Sequence, residues 1–316
     1  MAKNRVQFQK GLSLVQFRER YGTEEQCVAA LARSRWPRGF ECPGCGSRRF
    51  HLLRCRSLYQ CADCHRQTSI TAGTVFACTK LPLTVWFLAM HLISMSKHGI
   101  SSIELGRQLG VSQKAAWSMK HKLMQVMLER EHGRILSGRV EADDAYMGGE
   151  AHGGKVGRGA GRKRPFLAAV QTGQDRKPLY LSLHALKRVS GRAILKWGKA
   201  HLHPKAEVVT DGWRAYRSLE ANGWSHDAKR TDTKGWRRAK HPAFKWVNTV
   251  LGNLKANLLG VCRAIRLKHL PRYLAEFQYR FNRRFDLSTI LQRLLRASAL
   301  TPPMPYRLLK LAEIGG

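Results

Sequence analysis

Two Cys-x-x-Cys pairs constrain the N-terminal part of this chain more than any other feature. Cys42-Pro-Gly-Cys45 and Cys61-Ala-Asp-Cys64 are separated by 15 residues. Thiolate pairs on two tight knuckles can close a tetrahedral shell around one Zn²⁺, and the spacing is that of a ribbon. Gly44 and Gly46 relieve the strain of the first knuckle. A shell of four thiolates has no open position, so the expected ion folds a small module and does no chemistry. His51, Cys55 and His65 lie nearby but are not needed once four thiolates are available. Cys27, Cys78 and Cys262 are scattered. With no secretion signal, the cysteines read as a metal site in a reducing compartment.

The charge balance narrows the partner. Lys and Arg number 56 against 21 Asp and Glu, a formal charge of +35. Residues 1–150 hold 22 basic and 12 acidic side chains, and residues 151–316 hold 34 and 9. Solubility needs far less, so a polyanion is expected, held mainly by the second half. An anionic membrane is the weaker alternative. The longest apolar run, Leu83–Met95, has 13 residues and includes His91, too short to span a bilayer. No secretory signal is evident.

The chain divides by pattern into a multi-domain α+β protein. Residues 1–38 form a helical segment, with Leu12, Val15, Phe17, Val28, Leu31 and Trp36 as core candidates. Residues 39–79 form the ribbon, and 80–132 a helical region. Past a short linker, residues 138–296 turn to strands at 139–147, 165–172, 178–183 and 207–210, with helices at 190–201 and 213–222 between them. A long helical stretch, 244–296, is interrupted near 268–271 and at Asp286. This order predicts an α/β domain with a mixed sheet. Residues 148–164, rich in Gly, Lys and Arg, read as a mobile basic loop, and 297–316 as a C-terminal tail.

Within the helical region, 100–109, Gly110-Val111-Ser112 and 113–125 read as helix, tight turn, helix. Ser112 is a good N-cap. Ala116, Met119 and Leu123 supply a buried stripe, leaving Gln113, Lys114, Trp117, Lys120 and His121 as an outward edge able to read a DNA groove. An ordinary helical hairpin is the plainer alternative.

Three polar residues carry the candidate chemistry. Asp143 ends the apolar run at 140–142, Asp211 ends the run at 208–210, and Asn248 opens a helical stretch. Two carboxylates and an amide oxygen can gather around Mg²⁺, and two such ions can clamp the attacking and leaving oxygens of a phosphodiester exchange. Singly, each residue also has a plain reading: Asp211-Gly212 as a turn, Asn248 as a cap. Glu141 and Asp144 compete with Asp143. In a strand, Glu141 and Asp143 share a face and Asp144 points away. Asn253 competes with Asn248.

Four segments carry a resemblance: Val140–Gly149, Thr210–Tyr216, Asn248 to Lys255, and Tyr273–Arg284. With the ribbon, Thr71-Ala-Gly-Thr-Val-Phe and Lys80-Leu-Pro-Leu, they are similar to the signatures of bacterial insertion-sequence transposases that join a zinc ribbon to a DDE-type catalytic domain. The resemblance implies an RNase H-like domain with the first Asp on its first strand, the second after its fourth, and the third ligand on a later helix. Many members carry Glu at the third position; others resemble this chain in having Asn followed by Lys two helical turns later. It implies Asp143, Asp211, Asn248 and Lys255 as catalytic residues. The first three bind two Mg²⁺ or Mn²⁺ ions, and Lys255 holds a DNA phosphate.

The expectation is therefore a DNA transposase. It recognises terminal inverted repeats through the ribbon and the helix-turn-helix, and nicks and joins ends as a dimer or larger synapse. It works in the cytoplasm with the nucleoid, away from any membrane. The alternative, kept open by Asn248, is a catalytically inactive DNA-binding protein descended from such an enzyme.

Overall fold

A computed structural model describes residues 6, 9–53, 56–148, 163–229, 241–262 and 265–311. The basic loop expected at 148–164 falls almost wholly outside them. The described residues form two compact units, which divide after Met127 and again after Asn282.

The first unit runs to Met127 and takes up residues 283–311 again. Helices α1 (Leu14–Tyr21) and α2 (Glu24–Arg35) each begin with a capping box, at Ser13/Gln16 and Thr23/Gln26, so local hydrogen bonds set both starts. The ribbon is a three-stranded antiparallel sheet, β1 (Phe50–Leu53), β2 (Leu58–Cys61) and β3 (Gln67–Ser69). Helices α3 (Leu83–Met95), α4 (Ser102–Leu109) and α5 (Gln113–His132) follow. Phe17 and Leu31 are buried as expected, but Val15 is 68% exposed. On the short α1 the buried face is that of Phe17 and Tyr21, spaced one turn apart, and Val15 falls off it.

The second unit holds a five-stranded sheet: β4 (Arg139–Met147), β5 (Arg164–Thr172), β6 (Pro178–Ala185), β7 (Glu207–Thr210) and β8 (Ser225–Ala228). The order is β6-β5-β4-β7-β8. The first three strands are antiparallel, and β7 and β8 run parallel to β4, the RNase H-like arrangement. β8 is short and polar and had no sequence signature. Helices α6 (Gly191–His201) and α7 (Arg217–Glu220) cover one face. There Val140, Ala142, Leu167, Val208, Ile194, Trp197 and Leu219 share a core. Helices α8 (Lys245–Val261) and α9 (Leu270–Asn282) cover the other, with Ala145, Phe166, Ala168, Val209, Val250 and Leu254 between.

The long helical stretch breaks where the sequence suggests, but the second unit ends at Asn282, short of residue 296. Helix α10 (Ile290–Leu300) packs on α2 and α3. Its apolar stripe, Ile290, Leu291, Leu294 and Leu295, is buried there. Helix α11 (Tyr306–Leu311) follows within the span expected to be a tail.

Candidate active site

Asp143 lies at the middle of β4, not at a strand end. It is accessible for another reason. β7 pairs with β4 only as far as Val209, opposite Glu141, so β4 runs on without that neighbour. Extending the register two residues brings Asp211, the first residue past β7, level with Asp143. Alternation sets the direction of each side chain. Val140 and Ala142 enter the core under α6, whereas Ala145 enters the core under α8. Asp143 therefore shares the α8 face with Glu141 and Ala145. In β7, Val208 belongs to the α6 side and Val209 to the α8 side, so Asp211 follows Val209 to the α8 face. Asp144 points the other way.

Both candidate aspartates are half-buried. Asp143 Oδ1 accepts the Asp144 backbone N–H at 2.9 Å. Asp211 Oδ1 accepts the Trp213 N–H at 3.0 Å. Gly212, at φ +75°, makes the reversal that a side chain would resist. Asp211 is thus the turn residue that its Gly neighbour signals, with its carboxylate bonded to the turn backbone.

Glu141 has a different task from the ligand role it competed for. It is 2% exposed. Its Oε2 accepts the backbone N–H groups of Trp246 at 2.8 Å and Val247 at 3.1 Å, and its Oε1 accepts from Arg139 Nη1 at 2.8 Å. Arg139 Nη2 also donates to the Ala243 carbonyl at 3.2 Å. A carboxylate at a helix N-terminus meets orphan N–H groups and the positive end of the helix dipole. The sequence offered one signal for this: an acid on the apolar face of a strand must find partners to be buried.

Asn248 follows Val247 in the first turn of α8 and is half-buried, whereas Asn253 and Lys255 are exposed. Val247, Val250, Leu251, Leu254 and Leu258 form the buried stripe of the helix. Lys255 stands seven residues after Asn248, two turns along nearly the same side. Two carboxylates and an amide are the hard-oxygen donor types that suit Mg²⁺ or Mn²⁺.

The ribbon cysteines converge. All four sulfurs of Cys42, Cys45, Cys61 and Cys64 lie within 4.8 Å of one another, with Cys42–Cys64 and Cys45–Cys61 each at 3.5 Å. Tetrahedral Zn–S bonds of about 2.3 Å require sulfurs just under 4 Å apart, so the set fits zinc. Backbone N–H groups of Cys45 and Cys64 lower the Cys42 and Cys61 thiol pKa values, while the pKa values of Cys45 and Cys64 themselves are raised by the neighbouring sulfurs. Of the arginines around the ribbon, Arg48, Arg56 and Arg66 are exposed, while Arg49 pairs with Asp63. Arg54 and Cys55 lie outside the described residues.

Two helices joined by a tight turn form at Ser102–Leu109 and Gln113–His132, but two residues expected on the outward edge are not there. Gly110 ends α4 at φ +65°, and Ser112 Oγ accepts the Ala115 N–H at 3.2 Å. A Cβ on Gly106 would come within 3.1 Å of the Val111 carbonyl and 3.5 Å of Ala116 Cβ, so the tight approach of the two helices depends on that glycine. Ala116, Met119 and Leu123 are buried. Gln113 and Lys114 are exposed, and Trp117 is half-buried, edge-on to Tyr306. Lys120 and His121, however, are 1% and 0% exposed and present no reading edge. Lys120 is one turn beyond Ala116 and so continues the buried stripe, its Nζ donating to the Ile100 carbonyl at 2.6 Å. His121 is stacked under the Trp117 ring, 4.0 Å between centroids.

Among the described residues no helix is long and apolar enough to cross a membrane. Residues 22–67 match the transposase zinc-ribbon domain, and residues 135–282 match the ISXO2-like transposase domain. An uncharacterized protein in the transposable element ISH50 of Halobacterium salinarum is 27% identical over 222 residues, 63% of this chain and 70% of that protein. Solved structures of the Mos1 strand transfer complex and of a pre-cleavage Mos1 transpososome align over 63% of this chain at 12% identity. They cover 76% and 77% of those chains, with TM-scores of 0.22 and 0.20, too distant a likeness to argue from. The two matched domains, in this order on one chain, place the protein among the insertion-sequence transposases that carry an N-terminal zinc ribbon before a DDE-type domain.

Proposed function

We propose that this chain nicks DNA at the ends of its mobile element and joins the freed 3′ ends to target DNA. One observation carries the reading. The β4–β7 register, paired through Glu141 and Val209 and continued by two residues, brings Asp211 level with Asp143 toward the side that α8 covers, and Asn248 lies in the first turn of that helix. Asp143, Asp211 and Asn248 hold two divalent ions, Mg²⁺ or Mn²⁺, which when bound supply activation of the attacking oxygen and stabilisation of the leaving one. The aspartates carry the charge of the site, and Asn248 contributes a neutral carbonyl oxygen. Lys255 holds a DNA phosphate near the site, and no side chain acts as nucleophile. Arg and Lys along the second half of the chain bind the backbone without reading sequence. The ribbon, with Gln113, Lys114 and Trp117, reads the inverted repeats. Joining two ends requires at least two copies of the chain in one synapse, at the nucleoid.

The test is Mg²⁺-dependent joining of pre-nicked transposon ends by the purified full chain. DNA binding is followed in parallel. Joining that is lost in Asp143→Ala and Asp211→Ala while binding persists supports the reading; joining that survives either change rejects it. Asn248, where many relatives carry Glu, favours one second reading: a DNA-binding descendant without activity. Binding to the ends with no cleavage under any divalent ion would select it.

A further inference from the structure

We propose that Glu141 is a positioning residue for the joining reaction, fixing Asn248 relative to both aspartates through the first turn of α8. The inference rests on the reading of Asn248 as the third ligand.

Glu141 does not compete for metal. Three hydrogen bonds occupy its carboxylate: Trp246 N–H and Val247 N–H on Oε2, and Arg139 on Oε1. It is also the point from which all three ligands are measured. Asp143 is two residues along the same strand and on the same face. Val209, the last β7 residue paired with β4, stands opposite Glu141, and Asp211 lies two residues beyond it. Asn248 directly follows Val247, whose N–H the carboxylate accepts. Each ligand is therefore tied to Glu141 by at most two residues of backbone plus one ladder pairing or one hydrogen bond.

Besides these bonds, Trp246 Nε1 donates to the Arg176 carbonyl, and most of the buried face of α8 is apolar. Val250, Leu251, Leu254 and Leu258 bury it against the sheet, and such contacts are non-directional. They hold the helix down with little directional preference, whereas hydrogen bonds to two successive N–H groups at its start are directional. A buried carboxylate with a partly exposed arginine beside it is an expensive way to cap a helix. Its value here is geometric: a site whose ligands must hold to within about 0.5 Å needs a supporting shell that is itself locked.

The experiment is a double-mutant cycle on metal-dependent joining of pre-nicked ends, using the full chain. The variants are Glu141→Leu, Glu141→Gln, Asn248→Ala and the two pairwise combinations. Melting and DNA binding confirm that each variant is folded. Glu141→Leu should lower joining about 100-fold, the scale of a 1 Å misplacement, and raise the Mg²⁺ concentration needed for half-maximal rate. Glu141→Gln keeps an oxygen for both helix N–H groups and should recover most of that loss. It also serves as the folded variant if Glu141→Leu does not fold. In the Asn248→Ala background neither change should cost more than a few-fold, because the ligand being positioned is gone. Losses that multiply in full, or an unchanged Mg²⁺ requirement in both Glu141 variants, overturn the proposal while leaving Asn248 a ligand. Full activity of Asn248→Ala overturns the ligand reading and this inference with it.

Discussion

The side chain of Asn282 pairs with the backbone of Leu181 in both directions. Its Nδ2 donates to the Leu181 carbonyl at 2.9 Å, and its Oδ1 accepts the Leu181 N–H at 2.7 Å. One turn earlier, Gln278 Oε1 accepts the Leu183 N–H at 2.8 Å. Leu181 and Leu183 lie on β6, the outer strand of the sheet, whose free edge would otherwise offer unpaired groups. Asn282 Nδ2 also reaches buried Glu131 at 2.6 Å. Asn282→Ala should therefore strand several buried groups and cost about 3 kcal/mol, since each such group costs about 1–3 kcal/mol. Gln278→Ala, which frees one backbone group, should cost less. Urea unfolding of both variants decides it. Equal, sub-kilocalorie losses would mean that water satisfies the edge.

The proposed metal ligands should rank by charge. Asp143→Ala and Asp211→Ala should abolish joining and leave DNA binding intact or tighter, because repulsion of phosphate is removed. Asn248→Ala should reduce joining less completely, as water can replace a neutral ligand. Asn248→Glu should remain active. Lys255→Ala should weaken transfer by about 1–3 kcal/mol, the scale of a charged hydrogen bond. A dead Asn253→Ala beside a fully active Asn248→Ala would transfer the third role to Asn253, which is exposed five residues further along α8.

Purified protein should contain about one tightly held zinc per chain, because binding and folding of such a module are one event. Cys61 is fully buried, and Cys61→Ser should lose the metal and unfold the ribbon. Metal analysis with thermal melting checks both. A stable, zinc-free wild type is the result that contradicts it.

On the helix-turn-helix, Gln113→Ala and Lys114→Ala should reduce preference for cognate ends with little change in stability. Lys120→Ala should act mainly through stability, since it leaves the Ile100 carbonyl without its 2.6 Å donor. Binding to non-cognate DNA should weaken steeply with salt. Competition binding at two salt concentrations, with melts, separates the two effects. A Lys120→Ala variant of full stability and altered specificity would restore Lys120 as a reading residue.

Acid should destabilise the second unit. Burial pushes the His184 pKa down to about 4 from 6.5, helped by His201, His132 and Lys196, and burial also lowers His201. The His184 and His201 rings stand 5.6 Å apart. Both are harder to protonate in the fold than in the unfolded chain, so the unfolded chain binds more protons once the pH drops below about 6.5. The stability due to His184 is fully present above that pH and declines down to about 4, on the order of 3 kcal/mol in all. His184→Phe should flatten the slope of stability against pH in this window. Chemical denaturation at several pH values reads it, and an unchanged slope would remove His184 as a cause.

Sequence alone determined the parts whose chemistry is local. Cys42, Cys45, Cys61 and Cys64 announce a zinc site because a knuckle is a four-residue object. Ser112, Gly110 and the stripe at Ala116, Met119 and Leu123 define a turn between helices for the same reason. The strands around Asp143 and Asp211 were legible from runs of apolar residues, and the family signatures tied them to one domain. Tertiary structure decided whatever depends on partners distant in the chain. Lys120 and His121 read as outward residues because polarity is a residue's own property; burial depends on what the second face of the helix meets. β8 gave no sign because strands in a sheet are held by pairing, and here the pairing with β7 supplies what the residues do not. Glu141 looked like a rival ligand until the chain folded back to bring Trp246, 105 positions later, onto it. That Glu141 clamps the start of α8 is fixed by the hydrogen bonds that reach it, and those come from residues distant in the chain.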